Sequence, residues 1–253
     1  MPVHYERRGE AALVTIDRPE RRNAVDGATA GLLADSYERF ESDEDARVMV
    51  LTGAGDVAFC AGADLKALDS LGTRLDDPGG PLGFTRRTPS KPTIAAVSGW
   101  CLAGGFELAL WCDLRIASET AAFGFTERRF GVPLIDGGTQ RLPRIVGLGR
   151  ALDLILTGRV VGADEALGMG LATEVVPAGR QLERALELAE GLAGFPQQTM
   201  LADRRAAIEG SGMTLEEGLE LEARSGPATA ETAARGAARF AAGEGRGAAG
   251  AGA

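Results

Sequence analysis

The sequence predicts an α/β fold with a largely parallel sheet, followed by a region that is helical throughout. Short apolar, β-branched runs alternate with stretches of helical periodicity up to about residue 177, which is the pattern of strand–helix–strand units. Beyond that point only helical periodicity remains. With 253 residues, of which 45% are hydrophobic, the chain is long enough to bury a full core.

The N-terminal elements are predicted from apolar patterning, from the turn at Gly9-Glu10 and from a helix cap at Asp26. Two short strands are predicted over residues 3–8 and 11–17, joined at Gly9-Glu10. Asp26 can cap a helix over residues 27–41, whose apolar side chains recur at the i, i+3, i+4, i+7 spacing. The apolar run at residues 48–52 predicts a buried strand.

Two corners built from small residues dominate the middle of the chain. The first spans residues 58–65, and the second follows a predicted strand at 93–97 and leads through Gly104-Gly105 into an apolar helix that carries Glu107. A helix start has unpaired N–H groups and partial positive charge, and glycine lets a ligand approach them. The stretch between the corners, residues 70–92, contains several prolines and glycines and is predicted to be a long loop, functional or mobile.

The second half continues the alternation and then becomes helical. A strand is predicted at 114–117, three helices over 139–146, 149–157 and 163–169, and a short strand at 173–176. Four further helices are predicted around 182–192, 197–209, 214–224 and 228–242. The tail Gly243–Ala253 is almost entirely Gly and Ala and is predicted to be disordered.

Composition excludes several classes of function. The net charge of −9 argues against nucleic acid as the main partner. A single histidine, His4, excludes a Ser-His-Asp triad, a Cys-His pair and histidine-based metal sites. Three scattered cysteines indicate buried reduced thiols in a cytoplasmic protein. No signal peptide is recognised, and no apolar run approaches the ~20 residues that span a bilayer.

Chemistry without histidine points to backbone donors and carboxylates. The corners at Ala61-Gly62 and Gly104-Gly105 could aim two N–H groups at one oxygen, although such turns more often serve packing. Glu107 lies among apolar neighbours, and either faces a pocket or is a surface acid that stabilises the helix dipole. Glu127 follows an aromatic stretch, and either joins Glu107 as an acid–base pair or is solvated beside two arginines.

Several motifs follow one another in a fixed order along the chain. They are Arg22-Asn23-Ala24, Phe59-Cys60-Ala61-Gly62-Ala63-Asp64-Leu65, Val97-Ser98-Gly99 through Glu107, Phe123-Gly124 to Glu127, Gly137-Gly138-Thr139-Gln140-Arg141-Leu142, Leu156-Thr157-Gly158, Ala163-Asp164-Glu165-Ala166 and Gly170-Leu171. Together they resemble the motifs of the crotonase (enoyl-CoA hydratase/isomerase) superfamily. The resemblance extends from the N-terminal strands to about residue 225 and is specific for the superfamily rather than for one reaction.

The resemblance implies a fold, a partition of the chain and an assembly. The fold would be a crotonase-like ββα spiral core over residues 1–195, with a C-terminal helical oligomerisation region over 196–242. The protein would be a homotrimer or a dimer of trimers. It would bind an acyl-CoA thioester, with no metal and no cofactor other than the coenzyme A of the substrate, and with no nucleic-acid or membrane partner.

The resemblance also implies the reaction and the residues that perform it. The reaction would be addition of water to a 2-trans-enoyl-CoA in fatty acid metabolism, through a thioester enolate held in an oxyanion hole. Glu107 and Glu127 would be catalytic, and the amides of Ala61 and Gly104 would form the oxyanion hole. The residues expected to bind CoA or substrate are Arg22, Ala24, Cys60, Ala63, Asp64 and Leu65.

Asp136 departs from the usual family pattern, because many hydratases have a small residue in this turn. If it faces the pocket, it adds a third carboxylate and could favour isomerase, decarboxylase or thioester hydrolase chemistry on an acyl-CoA. Otherwise it is a turn aspartate that makes local backbone hydrogen bonds. A non-catalytic acyl-CoA-binding paralogue is a further alternative, although both glutamates are present.

Overall fold

The computed structural model describes residues 1–244, and the predicted disordered tail falls almost wholly outside them. The chain forms two compact units that divide between residues 193 and 194. The first unit holds all ten strands of the described residues. The strands are β1 Val3–Arg8, β2 Ala11–Ile16, β3 Val48–Gly53, β4 Ala58–Cys60, β5 Thr93–Val97, β6 Trp100–Leu102, β7 Leu114–Ser118, β8 Ala122–Gly124, β9 Val160–Gly162 and β10 Glu174–Val176.

The larger of two sheets confirms the predicted parallel arrangement. Its strand order is β1-β2-β3-β5-β7-β10, and only the β1–β2 hairpin is antiparallel. Every residue of β3 and β5 is buried, because the sheet is covered on both faces. Leu13, Val50 and Ile94 face one core, whereas Val14, Leu51 and Ala95 face the other.

The smaller sheet was not predicted from the sequence. It contains β4, β6, β8 and β9, each only three residues long, in that order. Three residues show barely one period of the strand pattern, so alternation could not identify them. Strands β4 and β6 pair in parallel, and each of them leads into one of the two small-residue corners. The pairing therefore brings the two corners close to each other.

The helices of the first unit lie close to the predicted positions. Asp26 caps α1, with Oδ1 accepting the Thr29 N–H at 2.8 Å, and the buried face includes Leu33 and Phe40. Residues 73–92 contain no helix or strand, as predicted, but the loop is preceded by an unexpected short helix. The helices are α1 Gly27–Ser42, α2 Leu68–Gly72, α3 Gly104–Trp111, α4 Gly138–Val146, α5 Leu148–Thr157, α6 Ala163–Gly168 and α7 Gln181–Gly194.

The second unit is helical, as the sequence predicts. It contains α8 Gln197–Glu209, α9 Leu215–Ala223 and α10 Ser225–Ala241. A capping box between Thr214 and Glu217 begins α9. None of these three helices has a buried residue, and Leu215, Leu219 and Phe240 are largely exposed.

Candidate active site

The two small-residue corners meet at one edge of the smaller sheet. Because β4 and β6 run parallel, the turns that follow them leave on the same side. A methyl group at Gly62 would lie 2.7 Å from the Gly104 nitrogen, and one at Gly105 would lie 2.1 Å from the Cys60 carbonyl oxygen. Only glycine fits at these contacts, so the glycines serve close packing that brings the corners together.

The amides at these corners differ from the expected pair. The Ala61 N–H donates to the Arg22 carbonyl at 3.0 Å. Its hydrogen bond is therefore already made, which corrects the expectation that Ala61 is a free donor. Within residues 1–244 the Ala63 N–H has no such acceptor, and a methyl group at Gly104 would lie 3.7 Å from the Ala63 nitrogen. The amide of Gly104, the first residue of α3, has no acceptor in its own helix.

Glu107 lies in the first turn of α3 and is buried, with 3% of its surface exposed. Its Oε1 accepts N–H groups from Gly138 at 2.7 Å and from Asp136 at 3.0 Å. Burial raises its pKa to about 8, and the negative charges of Asp136 and Glu127 add to this rise, whereas the two N–H groups oppose it. The surface-acid interpretation is therefore excluded for Glu107.

Glu127 lies in a 3₁₀ turn over Thr126–Phe130 and is 7% exposed. Both of its carboxylate oxygens are buried, and neither is hydrogen-bonded to another described residue. Burial raises its pKa to about 7. A buried carboxyl without a partner favours its protonated form, so Glu127 is not the solvated acid of the alternative interpretation.

One cavity of about 720 Å³ is lined by the two glutamates and by residues of both corners. Glu107, Glu127 and Asp136 all line it, beside Ala63 and Gly104. Its four charged lining residues, these three and Asp69, are all acidic. The rest of the lining is mainly apolar: Ala61, Leu65, Leu68, Leu71, Gly72, Leu75, Pro81, Leu82, Ala103, Thr126, Phe130, Gly131, Val132, Pro133 and Ile135.

The predicted CoA-binding residues divide into two groups. Ala63 and Leu65 line the cavity, whereas Arg22, Ala24, Cys60 and Asp64 do not. Cys60 is fully buried, and burial raises the pKa of its thiol to about 12. Asp64 is buried in an ion pair with Arg18, at 3.2 Å, and caps the turn that begins at Leu65. Cys60 and Asp64 therefore support the corner at residues 58–65 through packing and the ion pair, and do not contact the cavity.

Arg18 was missed by the sequence analysis, and Asn23 was quoted there only within the motif Arg22-Asn23-Ala24, without a role. Arg18 pairs with Asp26 at 2.8 Å as well as with Asp64, and donates to the Ala24 carbonyl. The buried Asn23 amide group donates to the carbonyls of Ala54 and Ala58, the latter at 2.7 Å. Arg18 has near partners in Ala24 and Asp26, but Asp64 lies 46 residues from it, and the carbonyls that accept from Asn23 lie 31 and 35 residues away. No local pattern signals these distant contacts.

Neither a metal-binding cluster nor a membrane-spanning helix is found among the described residues. No group of three His, Cys, Asp or Glu residues within 1–244 is arranged to hold a metal ion. In the same residues, no helix combines the length and the apolar character needed to cross a bilayer. The expectation of no metal and no separate cofactor stays a prediction.

Comparisons with known proteins give a consistent result. A family model described as Enoyl-CoA hydratase/isomerase matches residues 6–244. The chain is 39% identical to (E)-benzylidenesuccinyl-CoA hydratase of Thauera aromatica, over 87% of each chain. It is 42% identical to a probable enoyl-CoA hydratase of Rhizobium meliloti, over 87% of this chain and 86% of that one. The crystal structure of enoyl-CoA hydratase EchA1 from Mycobacterium marinum covers 95% of both chains with a TM-score of 0.87 and 36% identity.

Proposed function

The chain belongs to the enoyl-CoA hydratase/isomerase family and is an enoyl-CoA hydratase-like enzyme, and on that premise we propose that it adds water to the double bond of a 2-trans-enoyl-CoA. One observation carries the proposal. Two buried glutamates line the same cavity as Ala63 and Gly104, two residues just beyond neighbouring strands whose N–H groups have no backbone acceptor among the described residues. Hydration of a conjugated thioester needs both sets of groups, because protons move while negative charge develops on the thioester oxygen.

The amides of Ala63 and Gly104 bind the thioester oxygen in this proposal. Negative charge grows on that oxygen as the enolate forms, and neutral N–H donors stabilise it without moving a proton. The corner glycines keep the two donors close to each other. Each donor of this kind contributes roughly 3–4 kcal/mol to transition-state stabilisation.

The two glutamates hold the attacking water and divide the proton transfers. Glu107 accepts a proton from the water in its ionised form, which the N–H groups of Gly138 and Asp136 stabilise, although burial keeps its pKa, at about 8, above the pKa of Glu127, at about 7. The hydroxyl adds to the β-carbon, and Glu127, which has no competing hydrogen bond among the described residues, donates its proton to the α-carbon. The proton on Glu107 then returns to Glu127 before the next turnover. With pKa values of about 8 and about 7, both groups can exchange protons near neutral pH.

The acyl group proposed for this substrate is apolar and carries no negative charge. Leu65, Leu68, Leu75 and Phe130 line the cavity and are each at least 45% exposed, so an apolar chain can cover them. Because the charged lining residues are all acidic, a carboxylate on the acyl group would be repelled. No observation favours isomerase, decarboxylase or thioester hydrolase chemistry instead.

The experiment is a panel of 2-enoyl-CoAs of increasing chain length, followed by loss of enoyl absorbance and by mass spectrometry of the product. We expect a mass gain of one water. Glu107→Gln and Glu127→Gln should each reduce kcat by about 10²–10⁴-fold, with Glu190→Gln, an exposed glutamate on α7, as the control. Turnover without addition of water, or full activity in either cavity variant, would refute the proposal.

Assembly and location belong to the same proposal. The protein is proposed to act in the cytoplasm in fatty acid metabolism, as a homotrimer or a dimer of trimers. The helices α8, α9 and α10 bury no residue, although they carry large apolar side chains. Such a unit suits packing between subunits. Light scattering that gives the mass of one chain would count against this assembly.

A further inference from the structure

Asp136 connects two segments that are far apart in the sequence. It is 4% exposed, and its Oδ1 accepts the Leu82 N–H at 3.1 Å and the Thr85 hydroxyl. These partners lie 54 and 51 residues away, in the long loop. The local backbone bonds expected of a turn aspartate are therefore not what its carboxylate makes.

The backbone of Asp136 is hydrogen-bonded to Glu107 and to Arg141. Its N–H donates to Glu107 Oε1 at 3.0 Å. Its carbonyl accepts Arg141 Nη1 at 2.9 Å, and Nη2 of the same arginine donates to the Thr85 carbonyl at 2.5 Å. The loop and the turn are thus joined through Asp136 and through Arg141, and also by Arg86 Nη2, which donates to the Ile135 carbonyl at 3.4 Å.

Leu82 brings this connection to the oxyanion corner. It is 2% exposed and lines the cavity. A methyl group at Gly104 would lie 2.7 Å from Leu82 Cδ1, so the leucine packs directly on that residue. The Leu82 backbone is hydrogen-bonded to Asp136, and the Asp136 backbone is hydrogen-bonded to Glu107.

We propose that Asp136 is a positioning residue, which fixes the loop at Leu82 and Thr85 against the turn that holds Glu107. The proposal rests on the hydratase function proposed above and deepens it. The Glu107 carboxylate, which accepts the Asp136 N–H, then keeps its orientation relative to the Gly104 donor on the same helix when the acyl group enters. Since a misplacement of about 1 Å can cost about 10²-fold in rate, loss of this connection should lower kcat more than it alters KM.

The charge of Asp136 gives the proposal a second consequence. Asp136 and Glu127 face Glu107 with negative charge, and Arg141 faces it with positive charge. The negative charge of Asp136 helps to raise the pKa of Glu107, after burial. Asp136→Asn keeps an oxygen that can accept the Leu82 N–H and the Thr85 hydroxyl, but removes the charge. We therefore expect the pH profile of this variant to move to lower pH.

The closing experiment uses matched variants of the full-length protein. Asp136→Ala and Thr85→Val each remove the side-chain connection, and we expect kcat to fall about 10–100-fold for the first and several-fold for the second. Thr85→Ser keeps the hydroxyl and should restore kcat. Thr85→Val should move the pH profile less than Asp136→Asn does, because it removes a hydrogen bond to Asp136 and not the carboxyl group itself.

Hydrogen exchange supplies a readout that needs no substrate. The amides of residues 82–85 should exchange faster in Asp136→Ala and Thr85→Val than in Thr85→Ser and the wild type. Unchanged exchange together with wild-type kcat in the first two variants would overturn the proposal. A wild-type protein that hydrates no 2-enoyl-CoA but shows the exchange pattern would refute the proposed function alone, and the connection through Asp136 would stand.

Discussion

Glu107→Gln should stabilise the protein at alkaline pH while it removes activity. Glutamine has the shape of glutamate, and its oxygen can still accept the N–H groups of Gly138 and Asp136. What changes is the buried negative charge beside Asp136 and Glu127. The variant separates the cost of that charge from the hydrogen bonds that surround it.

The sign and size follow from the two pKa values of the wild-type carboxyl group. Burial raises the pKa from 4.5 to about 8 on folding. Between these values the folded protein holds a proton that the unfolded chain has lost, so the free energy of unfolding falls as pH rises. The slope is about 1.36 kcal/mol per pH unit. Glutamine has no such slope, so the variant should gain about 4 kcal/mol on the wild type between pH 5 and pH 8.

The assay is urea denaturation of both proteins at pH 5, 7 and 9, at one protein concentration, so that any self-association contributes equally to both curves. Glu190→Gln on α7 serves as the control, since this glutamate is exposed. Its unfolding curve should follow that of the wild type at every pH. A difference between Glu107→Gln and wild type that is the same at all three pH values would refute the reasoning, because it would place the Glu107 pKa near that of the unfolded chain.

Three further predictions concern the site and its supports. The value of kcat/KM should be bell-shaped, with limbs near pH 7 and pH 8, because the glutamate pair must hold one proton; a flat profile from pH 5 to 10 would contradict this. Gly105→Ala should lower stability by about 1–3 kcal/mol, because the methyl group would meet the Cys60 carbonyl. Gly149→Ala, on an open face of α5, should instead gain about 0.5–1 kcal/mol, and equal melting temperatures for the two variants would be inconsistent with this packing. Asp69→Asn should raise kcat/KM for a 2-enoyl-CoA with a terminal carboxylate by about 2–5-fold and leave the neutral substrate unchanged; equal effects on both substrates would refute charge repulsion.

Most of the secondary structure could be predicted from the sequence, because its signals are local. The face of α1 and the cap at Asp26 lie within single turns of helix, and the buried run of β3 is continuous. The smaller sheet could not be predicted in this way. Its three-residue strands depend on pairing with distant strands, from Trp100 with Ala122, 22 residues on, to Ala58 with Trp100, 42 residues on, and not on their own periodicity.

The sequence by itself determined the family, the strands of the larger sheet and most of the helices, and it singled out the two glutamates, because these depend on residue types in a fixed order. Only the tertiary structure decided which amide is free, since the acceptor of the Ala61 N–H is a carbonyl 39 residues earlier. It also decided what Asp136 does, because the partners of its carboxylate lie in a loop that has no regular structure of its own. A hydrogen bond between distant segments exists only once both have been brought together, and spacing within either segment cannot reveal it.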